Sequence, residues 1–386
     1  MLPQKIKGYC KRLKYELERW NWKRYHDRNN RIFHSWQQRF LASGAQVVLG
    51  AHFHQQGGVR NHLLSIKKYS NLNVLLAPEE EDLQKFGVTP FSENKANFSN
   101  TKPPTSAIAV HTHVLPWLID WAVANAPNRI RWIHTHHALY SPEYGKNGIE
   151  PWQKELNDAM LKGAQYCDVC ICVSRWEQKT LSTEYGIESH YVPNGVDISY
   201  CESANPQRFQ KKYGVTNKFV LWVGRHDPVK NPTDFILLAL DNPALQFVMI
   251  GGITKQLIRT DYNLALPNNL KLLPLVPRQD VLDAISACQT LVVTSLREGL
   301  PTLVLEAMTL QKQIVVPNVA GCLDATNGED HARVYQLGDI TQLGKLTREA
   351  YADSTLRVAA RQRVLEEFDW RVVAKKLDQT YRGEFP

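Results

Sequence analysis

The stretch TLVVTSLREGLPTLVLEAM, residues 290–308, contains a strand, a loop and the start of a helix. TLVVTS is a short apolar run, as expected for a strand buried in a parallel sheet. Pro301 is predicted to be the first helical residue, where its missing N–H group costs nothing. The unpaired N–H groups that follow carry the positive end of the helix dipole, and Gly299 lets a ligand approach the backbone closely. The loop is therefore predicted to bind an anion such as phosphate.

Two glutamates and two basic residues extend this prediction. Glu298 and Glu306 would repel phosphate, so we expect them to accept hydrogen bonds from sugar hydroxyls. A second strand-to-loop transition, VGRHDPVKNP at 223–232, offers Arg225 and Lys230 for a diphosphate. No D-x-D metal motif accompanies them, so these cations, and not Mg²⁺, are expected to stabilise a leaving diphosphate. A diphosphate between two sugars satisfies every group, which predicts a nucleotide-sugar site.

The rest of the chain repeats the alternation of apolar strands and helices, which predicts an α/β fold with parallel sheets. The 386 residues are too many for one typical core. We expect a basic helical extension at 1–44 and two similar α/β units at 45–196 and 197–369. The C-terminal helix, 370–386, is expected to cross back onto the first unit. The polar segment 79–106 is predicted to be a loop or flap.

The net charge of +8 lies entirely at the N-terminus. Residues 1–40 hold 11 Lys and Arg against three Asp and Glu, and the remainder holds 35 of each sign. This segment has a helical apolar stripe that includes Ile6, Leu13 and Trp20. A basic amphipathic helix with Trp favours an anionic membrane surface as a partner, and packing on its own domain is the alternative. No recognition motif supports a nucleic acid.

The chain has no apolar run of the roughly 20 residues that a bilayer span needs and no secretory h-region. We therefore expect a cytoplasmic protein, peripheral on the cytoplasmic face of the inner membrane if the basic segment binds lipid. The seven cysteines are expected to be buried reduced thiols, since CDVCIC lacks a second Cys/His pair of suitable spacing.

Histidines end three predicted strands. An H-x-H pattern on a strand puts both rings on one face, so a metal site is conceivable. No acidic residue at matching spacing completes one, so we predict no metal and expect hydrogen-bonding histidines, one of which touches the substrate. The residues concerned are His52, His54, His111, His113, His134, His136 and His137.

Taken together, these residues resemble the retaining glycosyltransferases of the GT-B fold, in the glycosyltransferase group 1 family. The resemblance covers about residues 45–382. Glu298 and Glu306 match the family's E-x7-E element, Gly224-Arg225 with Lys230 matches its diphosphate motif, and 192–197 match its hinge. The resemblance implies two Rossmann-like, doubly wound parallel-sheet domains that face a central cleft.

The resemblance also implies roles. Arg225 and Lys230 bind the donor diphosphate, Glu306 holds the ribose and Glu298 the transferred sugar. His137, with His136 as the runner-up, contacts the donor sugar and completes the catalytic set. The implied backbone contacts to the donor come from Gly57, Gly58, Gly224, Gly299, Leu300, Pro301, Thr302 and Leu303. The family often has Glu-Gly-Phe-Gly where this chain has Glu-Gly-Leu-Pro, which leaves the donor open.

The implied reaction is metal-independent, hexosyltransferase-type transfer with retention, without a cofactor. A hexose or N-acetylhexosamine moves from a nucleotide-diphosphate sugar to a glycan or lipid-linked acceptor, in cell-surface polysaccharide or lipopolysaccharide biosynthesis. A UDP-sugar is favoured, with GDP- and ADP-sugars as alternatives. The leaving phosphate takes the acceptor's proton, so the two glutamates are not a glycosidase pair. The alternatives are a non-catalytic subunit that acts through a partner and a phosphorylase-like or epimerase-like enzyme.

Overall fold

The computed structural model describes residues 4–50, 58–125, 130–141, 148–353 and 355–384, and within α1 it describes the side chains of Glu18 and of residues 21 onward. The predicted apolar stripe between Ile6 and Trp20 therefore lies outside the described side chains. None of the helices in these ranges combines the length and apolarity of a bilayer span.

The first half of the chain forms a six-stranded sheet in which every neighbouring pair is parallel. Its strands are β1 Val47–Gly50, β2 Val74–Ala77, β3 Ala109–Thr112, β4 Arg131–His136, β5 Val169–Cys172 and β6 His190–Tyr191. The helices are α1 Gln4–Leu41, α2 Gly58–Tyr69, α3 Glu80–Phe86, α4 Thr89–Ser92, α5 Lys95–Ser99, α6 Pro116–Asn125, α7 Pro151–Tyr166 and α8 Arg175–Tyr185.

The second half forms another six-stranded parallel sheet. Its strands are β7 Val220–Val223, β8 Phe247–Ile250, β9 Leu270–Leu273, β10 Thr290–Val292, β11 Gln313–Pro317 and β12 Arg333–Tyr335. The helices are α9 Ile198–Glu202, α10 Pro206–Tyr213, α11 Pro232–Asp241, α12 Lys255–Thr260, α13 Arg278–Ala287, α14 Thr302–Thr309, α15 Ala320–Thr326, α16 Ile340–Ala352, α17 Arg357–Arg363 and α18 Trp370–Arg382. Short 3₁₀ turns lie at Pro228–Lys230 and Gly328–Asp330, and a π-helical turn lies at Val364–Phe368.

Both sheets reverse their strand order once, which positions the site. The orders are β2-β1-β3-β4-β5-β6 and β12-β11-β10-β7-β8-β9. The direction of winding changes between β1 and β3 in the first sheet and between β7 and β10 in the second. In open parallel sheets, ligands bind at the carboxyl ends of strands at such switch points. The predicted pair of parallel α/β sheets is confirmed.

The chain crosses between the two sheets at two adjacent segments. Val196 forms an isolated parallel bridge with Asp369, and its amide donates to the carbonyl of Phe368 at 2.7 Å. A Cβ atom at Gly195 would lie 2.6 Å from the indole of Trp370, so only glycine fits at this crossing. Beyond it, α18 packs its apolar face on the core of the first sheet.

The predicted loop at 79–106 is wrong, since this segment contains the three short helices α3 to α5. The polar composition of the segment suggested a loop, but two aromatic residues within it are buried and fix its position on the domain. Phe91 and Phe98 are buried against Trp36 of α1, with ring centroids 5.7 and 5.6 Å from the indole. Tertiary burial of these rings stabilises helices that local propensity does not predict.

The helix α1 has two different environments along its length. Its C-terminal part buries Phe33, Trp36 and Phe40 in the core of the first domain, so the basic helix is not wholly an extension. Residues 21–28 are exposed or half-buried, and Trp22 has 64% of its surface accessible. The C-terminal part of the helix therefore packs on the first domain, whereas residues 21–28 remain on the surface.

The cysteines within the described side chains are free, and five of the six are buried. Burial raises the pKa of Cys201 and of Cys288 to about 12, which leaves both thiols protonated and unreactive. These residues fit the prediction of buried reduced thiols, while Cys10 lies outside the described side chains.

We expect Trp36→Ala to lower the free energy of unfolding by about 3–5 kcal/mol, because it empties an aromatic cluster. The matched control, Trp22→Ala, removes an exposed indole from the same helix and should change stability by less than about 0.5 kcal/mol. Urea denaturation followed by circular dichroism measures both. Equal losses, or none at Trp36, would contradict the burial of Trp36 in the core of the first domain.

Candidate functional site

Two loops meet at the switch point of the second sheet, one after β7 and one after β10. The hydroxyl of Thr294 lies 2.9 Å from the carbonyl oxygen of Lys230 and 2.8 Å from that of Asn231. The same hydroxyl accepts a hydrogen bond from the indole N–H of Trp222 at 2.9 Å. The amide of Leu296 also donates to a carbonyl of the first loop. The loops predicted to carry the diphosphate cations and the glutamate are therefore one hydrogen-bonded unit.

The two predicted cations have different environments. The ammonium group of Lys230 lies 2.7 Å from Glu298 Oε1, and both side chains are largely buried. Arg225 has 73% of its side chain exposed, and its guanidinium lies 3.5 Å from Asp227. Lys230 retains two further N–H donors for a ligand, and Arg225 extends into solvent as a fork. The structure thus brings Lys230 and Glu298 together and leaves Arg225 at the rim.

The helix α14 begins one residue later than predicted. Pro301 has an extended ψ of 104° and is the N-cap, so Thr302 is the first helical residue. The first bond to the Pro301 carbonyl comes from the amide of Val304 at 3.0 Å. The amides of Thr302 and Leu303 therefore precede the hydrogen-bonded part of the helix. The helix start that the sequence predicts is therefore present, shifted by one position, and anion binding by these amides stays a prediction.

Close backbone packing fixes the loop at Glu298. A Cβ atom at Gly321 of α15 would lie 2.2 Å from the carbonyl oxygen of Glu298 and 2.4 Å from that of Gly299. A Cβ atom at Gly299 would lie 2.9 Å from the carbonyl oxygen of His137, across the cleft. The loop therefore lies between α15 and the loop that follows β4. Sequence reasoning missed Gly321, which no local motif marks.

Gly224 has a steric role as well. A Cβ atom there would lie 2.6 Å from the Trp222 ring, and one at Gly251 would lie 1.6 Å from the carbonyl oxygen of Gly224. The turns after β7 and β8 therefore leave no room for a side chain at Gly224 or Gly251. Of the predicted glycine pair in the first domain, Gly58 is the first residue of α2 and Gly57 lies outside the described residues, as do His52 and His54.

Glu306 is buried in α14, with only 4% of its surface exposed. Its Oε1 pairs with the guanidinium of Arg278, the first residue of α13. Its Oε2 is buried and has no hydrogen-bond partner among the described residues. The sequence analysis did not identify Arg278. Its position after β9, at the sheet edge where the loops after β7 and β10 also lie, could have indicated it.

The histidines divide into structural and cleft groups. The ring of His111 bonds the Tyr381 and Thr135 hydroxyls, both at 2.7 Å, and His134 bonds the Thr112 hydroxyl at 2.9 Å. These two fit the predicted role of buried hydrogen-bonders. His136 is buried 3.5 Å from the carboxylate of Glu177.

The cleft group comprises His62, His113 and His137. His113 Nδ1 lies 3.1 Å from His137 Nε2, and the three residues each offer a ring nitrogen within 4.8 Å of the others. Burial lowers the pKa of His62 to about 4, partly offset by its hydrogen bond to Asn194. Burial also holds the pKa of His113 and of His137 well below the usual value. The rings are therefore neutral at pH 7, and His62 was not anticipated from the sequence.

Contacts of Asn194 and Arg297 join the halves of the cleft at this point. Asn194 Oδ1 accepts a hydrogen bond from His62 Nδ1 at 3.0 Å. Its Nδ2 group donates a hydrogen bond to the carbonyl oxygen of Leu300 at 3.3 Å. Arg297 donates to the buried carboxylate of Glu177 at 3.2 Å and covers the ring of Trp176. These residues act across a long sequence distance, so spacing alone does not reveal them.

Two family models match segments of the chain. Residues 203–366 match the family described as Glycosyl transferases group 1, and residues 106–200 match Glycosyltransferase Family 4. The first segment contains both loops of the switch point in the second sheet.

Two curated relatives are similar in sequence. The UDP-Gal:alpha-D-GlcNAc-diphosphoundecaprenol alpha-1,3-galactosyltransferase of Escherichia coli is 27% identical over 264 residues, which are 64% of this chain and 67% of that protein. The N,N'-diacetylbacillosaminyl-diphospho-undecaprenol alpha-1,3-N-acetylgalactosaminyltransferase of Campylobacter jejuni is 27% identical over 192 residues. That match spans 47% of this chain and 49% of the relative, about half of each.

Solved structures share the architecture. HepE of Anabaena, in complex with UDP-glucose, superposes with a TM-score of 0.70 at 18% identity, covering 87% of this chain and 99% of that one. Sucrose-phosphate synthase from Thermosynechococcus elongatus superposes with a TM-score of 0.67 at 16% identity, and the match covers 88% of this chain and 98% of that one. At such identities the likeness shows the fold alone. The predicted GT-B fold is confirmed, and with the family matches the chain belongs to the group 1 glycosyltransferases. It is a glycosyltransferase.

We expect Gly321→Ala to lower glycosyl transfer by at least about tenfold and stability by about 1–3 kcal/mol, because the new methyl group displaces the Glu298–Gly299 backbone. The control is Gly344→Ala in α16, whose added Cβ lies 3.3 Å from the flexible end of Arg348. That change should leave activity intact and shift stability by less than about 1 kcal/mol. Initial rates and thermal unfolding measure both variants. An active Gly321→Ala enzyme would argue against a fixed loop.

Proposed function

We propose that the protein transfers a hexose or N-acetylhexosamine, with retention, from a UDP-sugar to a sugar on a lipid-linked diphosphate. The observation that carries this proposal is the convergence, at one switch point, of the Lys230–Glu298 pair, whose charged atoms lie 2.7 Å apart, with the start of α14. A cation, a carboxylate and a helix N-terminus together match a ligand that has both phosphate and hydroxyl groups.

The donor diphosphate is assigned to Arg225, Lys230 and the amides of Thr302 and Leu303. Lys230 provides a largely buried charge close to the helix N-terminus, and the exposed Arg225 can fold over the phosphates. Charge stabilisation in a partly desolvated cleft is strong because the dielectric is low there. Neither residue requires a metal ion for this role.

The sugar hydroxyls are assigned to the carboxylates. Glu306 Oε2 is buried without a partner among the described residues, and a ribose hydroxyl would supply the missing donor. Glu298 is held by Lys230 at the mouth of the same loop, next to His137 across the cleft. We therefore assign Glu298 and His137 to the transferred sugar.

The reaction proceeds at the anomeric carbon. Its bond to the β-phosphate oxygen breaks as the positive groups stabilise the diphosphate, and the acceptor oxygen bonds the same face of the sugar. The acceptor's proton passes to the leaving phosphate oxygen, so no carboxylate nucleophile is needed. Both curated relatives are named as alpha-transferases, which agrees with the retention that the family resemblance implies.

The donor and acceptor classes are supported by the relatives' names. One names UDP-Gal as its donor, and both name a diphosphoundecaprenol-linked sugar as acceptor. The neighbour HepE is described in complex with UDP and with UDP-glucose. For this chain, we infer a UDP-sugar and a lipid-linked acceptor in cell-surface polysaccharide synthesis.

We predict that the purified protein slowly hydrolyses one of the UDP-, GDP- or ADP-sugars, and that Arg225→Ala with Lys230→Ala lowers this rate by at least about 100-fold. The control, Arg259→Ala with Lys345→Ala, removes the same charge from exposed positions of the same domain and should retain the rate. Nucleotide release is measured by chromatography.

Other outcomes separate the alternatives. Equal rates in the two double variants would exclude the diphosphate assignment. Formation of a sugar 1-phosphate on addition of inorganic phosphate would indicate a phosphorylase-like enzyme, and an epimerised donor would indicate an epimerase-like one. Absence of donor binding by the wild type would favour a non-catalytic subunit that acts through a partner.

We also propose that the first 28 residues dock on an anionic membrane, the location of a lipid-linked acceptor. The exposed part of α1 carries Trp22 and Tyr25 beside Lys23, Arg24 and Arg28. Aromatic rings enter the headgroup region and basic side chains attract anionic lipids. The location that we propose is the cytoplasmic face of the inner membrane.

Deletion of residues 1–28 is expected to abolish binding to phosphatidylglycerol vesicles while sparing donor hydrolysis, because the aromatic core around Trp36 remains. The full chain should lose its binding at high salt, since the attraction is electrostatic. Vesicle co-sedimentation measures both, with phosphatidylcholine vesicles as the control. Undiminished binding after the deletion would show that another surface contacts lipid.

A further inference from the structure

Three histidines of the first domain surround one point on the wall of the cleft. His62 comes from α2, His113 follows β3 and His137 follows β4. Their ring centroids form a nearly equilateral triangle, with separations of 5.3, 5.1 and 5.3 Å. Each offers a ring nitrogen within 4.8 Å of the other two. Three separate elements thus bring three imidazole nitrogens together.

The spacing of these nitrogens suits a tetrahedral metal ion. Imidazole nitrogens at about 2.0–2.1 Å from Zn²⁺ lie roughly 3.4 Å apart at tetrahedral angles. His113 Nδ1 and His137 Nε2 are 3.1 Å apart, and the candidate nitrogens of all three residues lie within 4.8 Å of one another. The spacing is therefore close to that of a tetrahedral site.

The His62 ring is held as a metal ligand usually is. Its Nδ1 donates to Asn194 Oδ1 at 3.0 Å, which leaves the lone pair on Nε2. A ligating histidine typically donates its other N–H group in this way. His62 is only 4% exposed, and within the described part of the chain its Nε2 has no hydrogen-bond partner. A buried ring nitrogen without a partner loses hydration free energy, which an ion would restore.

We propose that His62, His113 and His137 bind one divalent cation of the Zn²⁺ class, with a fourth position open to an oxygen ligand in the cleft. Imidazole ligands favour Zn²⁺, Co²⁺, Ni²⁺ and Cu²⁺, whereas the oxygen-rich sets of Mg²⁺ and Ca²⁺ contain carboxylates. The cluster contains no carboxylate among the described residues. Three protein ligands leave one position for water or substrate. The open side is that of His137, the least buried of the three.

The ion would be connected to the donor loop. Asn194, which orients His62, also donates to the carbonyl oxygen of Leu300. Asn194 is thus a positioning residue for both the metal ligand and the loop that follows Glu298. This site belongs to the first domain, and it does not replace the role of Arg225 and Lys230 at the diphosphate. With the ion bound, the transferred sugar that is assigned to His137 would meet the open fourth position of the ion.

The test uses untagged full-length protein, freed of metal by chelation and titrated with Zn²⁺ against a chromophoric chelator. We expect one ion per chain, and affinity at least about 100-fold lower in His62→Gln and in His113→Gln. Asn194→Ala should weaken binding by about 10- to 100-fold. The control, His34→Ala, removes an exposed histidine of α1 and should leave the affinity unchanged.

A second measurement does not depend on the folding of variants. Co²⁺ added to the wild-type protein should give the visible bands of a four-coordinate nitrogen-ligated ion, and Zn²⁺ should abolish them. Zn²⁺ binding that is equal in wild type and His62→Gln would assign it to surface histidines and overturn the proposal. Absence of both stoichiometric Zn²⁺ binding and the four-coordinate Co²⁺ spectrum would overturn it as well.

Discussion

The hydrogen bonds of the Thr294 hydroxyl determine the geometry of the second-domain side of the cleft. They join the ends of β7 and β10, which are neighbours in the sheet but lie about 70 residues apart in the chain, and so fix Lys230 relative to Glu298. The low exposure of this pair strengthens their attraction but also makes each charge dependent on the other. A diphosphate would give the ammonium group a second anionic partner, which lessens its dependence on the carboxylate.

The two domains meet through residues around the Glu298 loop, which is the proposed donor site. Arg297 contacts Glu177 of the first domain, Asn194 contacts Leu300 of the second, and Gly299 packs against the backbone of His137. Glu177 is fully buried, so separating it from Arg297 would leave an unpaired charge in the interior. The structure therefore couples the relative position of the domains to the shape of the site.

The helix α1 shows how one element combines two physical environments. Its last three turns are part of the aromatic core, whereas residues 21–28 keep basic and aromatic side chains on the surface. All of the net charge of the chain lies within the first 40 residues. A helix anchored at one end by buried rings holds its charged end at a fixed place on the domain, which a flexible tail would not do.

The sequence by itself determined the class of fold and located the two loops, after β7 and β10, that carry Lys230 and Glu298. Apolar strands, glycines and the helix start at Pro301 are local signals, because they reflect backbone conformation and burial within a few residues. The short helices of 79–106 escaped prediction, since distant aromatic residues stabilise them. Only the tertiary structure decided that Arg278 pairs with Glu306, that Gly321 packs on the Glu298 loop, and that His62 joins His113 and His137. These contacts depend on how strands and helices from separate parts of the chain converge at the switch points, and no spacing along the sequence encodes that convergence.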